Sequence, residues 1–329
     1  MSAIAPTLQR FFTERLIQQR RVSPATIASY RDSLKLLFVF VQQRIGKTPA
    51  TLDWADLDVE TISAFLTHLE TDRHNGPRTR NLRLTAIRSL FTYAALRHPE
   101  HAELIQRVLA LPAKRFDKPL VAFLTPAEID ALIGAPDRTR WEGRRDRALL
   151  LLAVQTGLRV SELIGLDGGD VSLGAGAHVG CLGKGRRQRA VPLTASTQAV
   201  LRVWLTERAG HRDEPLFPTR TGRRLSVDAV QRLVREHAAT AARRCPTIRP
   251  EQLHPHVLRH SCAMTLLHAG VDTAVIALWL GHADIRSTNT YLHADMTIKQ
   301  RALELTAQVS TPPGRYRPKD AVLAFLESL

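Results

Sequence analysis

His254–Gly270 reads HPHVLRHSCAMTLLHAG, and Leu280–Asp295 reads LGHADIRSTNTYLHAD. His256 and Arg259 stand three residues apart, a spacing that puts both on one face of a helical turn. His282 comes directly after Gly281, a residue type favoured just past helix ends, and a lone tyrosine, Tyr291, follows. A metal site, a packed core and a phosphate-handling active site would each use some of these residues. The rest of the chain decides among them.

At 329 residues with 44% apolar content, the chain suits two domains better than one. Its formal net charge is +15, and the arginines are spread through most of the chain, so the basic character belongs to folded surfaces and points to a polyanionic partner. Nucleic acid fits better than a membrane. No apolar run approaches the roughly 18 residues needed to span a bilayer, and the opening MSAIAPTLQRFFTERLIQQRR has no apolar signal core. The expected location is cytoplasmic. Cys181, Cys245 and Cys262 have no paired spacing, which argues against both a disulfide framework and a zinc knuckle.

The N-terminal part reads as helices. In SPATIASYRDSLKLLFVFVQQR, Ser23 can cap and Pro24 can take the first helical position, while Ile27, Tyr30, Leu34, Leu37, Phe38 and Val41 recur at helical spacing. A shorter helix follows in LDVETISAFLTHLE. GPRTRNLRLTAIRSLFTYAAL then puts Leu84, Ile87, Phe91 and Ala94 on one stripe. Arg78, Arg80, Arg83 and Arg88 are expected off that stripe, as a basic face for DNA phosphates. Helical rhythm stops at LPAKRFDKPLVAF, where Pro112 and Pro119 fall. Beyond it Thr125 and Glu128 have capping-box spacing, with Pro126 between them. This gives an N-terminal helical domain over 1–117, a linker over 118–123, a second domain over 124–310 and a C-terminal tail helix over 311–329.

Within the second domain, RRDRALLLLAVQT is a helix ending at Gly157, so Arg159 sits at a tight junction before the helical LRVSELIGL. From Asp170 to Leu193 the pattern turns to short alternating runs, DVSL, AHVGCL and RRQRAVPL. These read as a small antiparallel sheet with Lys184 at a hairpin tip. Helices return at LSVDAVQRLVREHAATA, capped by Ser226, and in the stretches around His256 and Tyr291. The expected fold class is mainly α with a small antiparallel β-sheet.

Zinc is the first competitor for the histidines. His256 and His260 have the i, i+4 spacing of a metal pair, but the HExxH form needs glutamate where Val257 stands, and Arg259 on the same turn would repel a metal cation. No metal is therefore expected. Taken singly, His260 reads as a hydrogen-bonded structural histidine, Glu162 as a helix-surface acid, Arg159 as half of a surface ion pair and Tyr291 as a half-buried ring.

The ordered set changes that reading: TGLRVSEL, LGKGRRQRAVPL, HVLRH, LGH, then Tyr291. It resembles the tyrosine recombinase, or phage integrase, family, and most of all its Xer-type and mobile-element members. The likeness covers about Leu124 to Ala307, and the N-terminal helices resemble that family's SAM-like core-binding domain in pattern and position. The resemblance implies a two-domain recombinase with an α+β catalytic domain. It makes Arg159 the first catalytic arginine, Lys184 the hairpin lysine, His256 and Arg259 the HxxR pair, His282 the fifth position and Tyr291 the nucleophile. Glu162 then supports Arg159, His260 stays structural, and Lys184 and Arg186 add DNA contacts. It also implies a 3'-phosphotyrosyl intermediate, strand exchange in a homotetramer, and docking of the C-terminal helix, with Val322, Leu323, Phe325, Leu326 and Leu329, on a neighbouring subunit.

The residue types suit that chemistry on their own terms. Two planar guanidiniums, Arg159 and Arg259, can hold the non-bridging oxygens of an attacked phosphodiester with charge-assisted hydrogen bonds. A tyrosine of ordinary pKa near 10 needs a base and neighbouring cations to become a nucleophile, and His256 is the expected base. Lys184 can protonate the departing oxygen, and His282 can donate to the phosphate. The phosphotyrosine ester conserves the bond energy, so no metal, ATP or other cofactor is called for. The expected partner is double-stranded DNA and the expected function is site-specific recombination, integrating or excising a mobile genetic element. An Xer-type chromosome or plasmid dimer resolvase is the alternative within the chemistry, and a non-catalytic DNA-binding regulator the alternative outside it.

Overall fold

The computed structural model describes residues 4–117, 121–183, 188–282, 287–288 and 291. The chain divides into two compact units, Met1–Lys118 and Pro119–Leu329. Among the described residues the fold is mainly helical, with one three-stranded antiparallel sheet, and no helix there is long and apolar enough to cross a membrane.

The first unit begins with α1 (Ile4–Arg10), which runs on as a wider π-helical stretch over Phe11–Gln19. Then come α2 (Pro24–Ile45), α3 (Val59–Thr71), α4 (Pro77–Ala95) and α5 (Ala102–Leu109). Ser23 caps α2 by accepting from the Thr26 amide, as the sequence leads one to expect, and Gly46 ends the helix in the left-handed region at φ 73°. Trp54, Phe11, Phe65, Phe91 and the α2 residues Leu34, Leu37 and Val41 form the buried centre.

On α4 the stripe Leu84, Ile87, Phe91 and Ala94 is buried as expected, but the basic face needs correction. Only Arg78 of the four arginines is exposed. Arg80 lies 3.5 Å from Glu70, Arg83 donates to the buried Ser33 hydroxyl at 3.4 Å, and Arg88 donates to the Leu111 carbonyl. The cause is helical spacing: Arg80 precedes Leu84 by one turn and Arg83 precedes Ile87 by one turn, so both prolong the inward stripe.

The second unit contains α6 (Pro126–Ile133), α7 (Trp141–Thr156) and α8 (Val160–Gly165), then strands β1 (Val171–Ser172), β2 (His178–Leu182) and β3 (Gln188–Pro192). They are followed by α9 (Ala195–Arg208), α10 (Val227–Ala242), α11 (Pro255–His268) and α12 (Thr273–Leu280). The Thr125–Glu128 capping box is formed in both directions, and Ser226 caps α10. The sheet order is β1-β2-β3, with Val171 opposite Val179, Val179 opposite Val191 and Leu182 opposite Gln188. Helix α7 is buried along most of its length and packs against α9 and α11, so it forms the centre against which the site is built. The three cysteines are free thiols, Cys181 and Cys262 buried and Cys245 partly so.

Candidate active site

Helix α7 stops at Gly157, whose φ of 63° is left-handed. A Cβ there would stand 2.5 Å from Leu280 Cδ2 and 3.1 Å from Cys262 Sγ, so both the conformation and the space call for glycine. The stop turns the chain into extended backbone at Arg159, which precedes α8. Glu162, on the first turn of α8, reaches back and accepts the Arg159 amide at 2.8 Å. Its carboxylate also accepts from Arg159 Nη1 at 2.8 Å and from Arg189 Nη2 of β3 at 2.7 Å. The Glu162 side chain is only 4% exposed. Burial opposes its ionisation, yet the hydrogen bonds and charge of Arg189 and Arg159 prevail and hold its carboxyl below the usual range.

The last carbonyls of a helix have no partner within it. At the end of α12 three successive ones are taken by three different arginines. Arg189 Nε donates to Trp279 O at 3.2 Å, Arg259 Nη2 to Leu280 O at 2.8 Å and Arg159 Nη2 to Gly281 O at 3.2 Å. Arg259 also donates through Nη1 to Gly157 O at 2.6 Å, joining the ends of α7 and α12. The negative end of the helix dipole faces these cations. Arg259 is 4% exposed, and burial, with Arg159 nearby, lowers its pKa to about 10. It stays charged at neutral pH.

Beside the arginines lies Tyr291, 3% exposed. Its phenolic oxygen is 3.0 Å from His260 Nδ1. The ring meets His260 edge-on at 5.6 Å and stacks on His282 at 6.4 Å, centroid to centroid. Burial raises the Tyr291 pKa, partly offset by Arg259 and Arg159. Burial and the neighbouring cations push both His260 and His282 down to about 4, so both rings are neutral at pH 7. His282 Nδ1 is hydrogen-bonded to the buried Thr288 hydroxyl at 2.7 Å. His256 is exposed one turn before His260, with their ring centroids 6.4 Å apart. Partial desolvation of its ring, then His254, Arg259 and Arg159, lower its pKa as well.

Residues 122–297 match the Phage integrase family, and residues 9–98 match the Phage integrase, N-terminal SAM-like domain. The chain belongs to the phage integrase family. It is 50% identical over 328 residues, covering 100% of this chain and 99% of the relative, to a protein of Sinorhizobium fredii (strain NBRC 101917 / NGR234) that carries the provisional name integrase/recombinase y4rC. It is 34% identical to tyrosine recombinase XerC of Rhodospirillum centenum (strain ATCC 51521 / SW), over 85% of this chain and 80% of that one. The fold matches the XerH site-specific recombinase, in a post-cleavage complex with palindromic difH substrate, at a TM-score of 0.68 and 23% identity. That match covers 87% of this chain and 81% of XerH. Tyrosine recombinases are enzymes that cut and rejoin DNA strands, and this chain is one of them.

Of the residues that the integrase resemblance singles out, Arg159, Arg259, His282, Tyr291 and the supporting Glu162 come together around the end of α12. His256 is at the rim of this group. Lys184 and Arg186 lie outside the described residues, as do the tail helix and its Val322, Leu323, Phe325, Leu326 and Leu329. Two further residues join the cluster. His260 is the hydrogen-bonded histidine that the sequence suggests, and its partner is the phenol of Tyr291; its i, i+4 spacing from His256 is the sequence signal. Arg189, on β3, shares a face with the buried Val191; a cation at an inward strand position was the signal there. Glu162 is buried with two cationic partners, so it is no surface acid.

Proposed function

We propose that this recombinase cuts duplex DNA with Tyr291 as nucleophile, through a covalent 3'-phosphotyrosyl intermediate, and integrates or excises a mobile genetic element. The observation that carries the reading is the setting of Tyr291: its hydroxyl against a neutral histidine, its ring on a second, and Arg159 and Arg259 beside it. The phenolic oxygen attacks phosphorus, its proton passes to a histidine, and the bond from phosphorus to the 5' oxygen breaks. We assign the proton to His260, the histidine in contact, in place of His256, which is left to bind the phosphate at the rim. Lys184 protonates the departing 5' oxygen. Arg159 and Arg259 stabilise the charge on the non-bridging oxygens, because each guanidinium has donors beyond those given to the protein.

In this reading residues 1–117 form a core-binding domain, 118–123 a linker and 124–310 the catalytic domain. The protein works in the cytoplasm as a homotetramer on paired sites, with the 311–329 helix docked on a neighbour. Resolution of chromosome or plasmid dimers is the second reading, favoured by the likeness to XerC.

The test is a nicked duplex carrying the DNA site that the purified protein selects from fragments of its own genome. The native chain should form an adduct that resists denaturant, and Tyr291→Phe should bind the duplex with similar affinity and form none. An adduct with the phenylalanine variant would remove Tyr291 from the role.

A further inference from the structure

We propose that Arg189 is a positioning residue for strand cleavage: it holds Glu162 and the end of α12 so that Arg159 and Arg259 keep free donors for the phosphate. This rests on the recombinase reading above. The distinction among the three arginines lies in how each is spent. Among the described residues, Arg159 and Arg259 bond the protein through their Nη atoms. Arg189 commits all three nitrogens, Nε to Trp279 O at 3.2 Å, Nη1 to Glu162 Oε1 at 3.2 Å and Nη2 to Glu162 Oε2 at 2.7 Å. Its side chain is 12% exposed.

Two consequences follow from that geometry. Glu162 is divided between two guanidiniums; without Arg189 both of its oxygens would turn to Arg159, whose donors would then be drawn away from a phosphate. Arg189 also lies over Gly281, the left-handed residue before His282, since a Cβ at 281 would stand 2.7 Å from Arg189 Nη1. One planar fork therefore joins β3, α8 and the turn that presents His282. Lysine keeps the charge but cannot span Glu162 and Trp279 O together.

The experiment measures single-turnover adduct formation and, separately, affinity for the same nicked duplex, with Tyr291→Phe as the blank. Arg189→Met should bind within about twofold of the native chain and cleave about 100-fold more slowly, the scale of a misplaced catalytic group. Arg189→Lys should recover about tenfold of that loss, because a positive charge beside Glu162 is restored. Adding Glu162→Gln to Arg189→Met should cost less than the product of the two single effects, because the excess pull on Arg159 is gone. Cleavage by Arg189→Met at the native rate overturns the proposal, and so does an equal loss of binding and cleavage, which would mark a DNA contact or a general fold defect. Absence of any adduct with the native chain would overturn the recombinase reading itself, a result distinct from a silent Arg189 variant.

Discussion

His260 Nδ1 and the phenolic oxygen of Tyr291 are 3.0 Å apart, although thirty-one positions separate the two residues in the chain. The contact joins α11 to Tyr291. A neutral ring with its proton on Nε2 accepts the phenolic hydrogen there, so the histidine next to Arg259 touches the oxygen proposed to attack the phosphodiester. His260→Ala should slow adduct formation by about 100-fold or more, the usual weight of a general base. His256→Ala should be the milder variant. Single-turnover rates across pH 5 to 9 check this, and the reverse ranking would return the base to His256.

Stability should fall on acidification, with a defined window. The pKa values of His260 and His282 are depressed in the folded chain, from 6.5 to about 4, so below 6.5 the unfolded chain binds more protons. The stability these groups confer is complete above about 6.5 and is lost between there and about 4. His260→Gln, which cannot titrate, should reduce the slope of melting temperature against pH over that window by about half, leaving the part due to His282, and an unchanged slope would show that His260 is not buried as a neutral ring.

Glu162→Gln should destabilise the catalytic unit by about 3 kcal/mol, because it leaves two partly buried guanidiniums without their anion. Urea unfolding measures it. A change under about 0.5 kcal/mol, the scale of surface substitutions, would mean that solvent already screens the cluster.

The four α4 arginines should separate into two classes. Arg88→Ala loses a charged donor to Leu111 O and should cost about 2 kcal/mol of stability. Arg78→Ala should leave stability within about 0.5 kcal/mol, weaken DNA binding for all sequences alike and reduce the salt slope by about one. Equal effects on DNA binding from both would restore the uniform basic face.

What was legible in the sequence is the part written in local chemistry. Ser23 with Pro24, Thr125 with Glu128, and the glycines at 157 and 281 mark helix ends by spacing alone, and the alternation in HVGCL and QRAVP marks the sheet. Helices α5 and α9 leave little periodic trace, since AELIQRVL buries only Ile105 and Val108 and α9 buries only Thr197, Leu201 and Trp204. The ordered motifs brought out Arg159, Arg259, His282 and Tyr291. They could not show that Arg159 meets Gly281 across 122 positions or that Arg189 meets Trp279 across 90, because such contacts depend on how α12 packs and leave no periodic trace.

The carbonyls at the end of α12 also bear on the thermodynamics of binding. A free arginine on a surface samples many rotamers, and fixing one costs about 1.5–2 kcal/mol in conformational entropy. Arg159 and Arg259 are already fixed by Gly281 O, Leu280 O and Gly157 O, so that loss is incurred once, during folding. In the proposed reaction an arriving phosphodiester would meet donors that need no further ordering, and more of its interaction energy would remain to act on the changing charge.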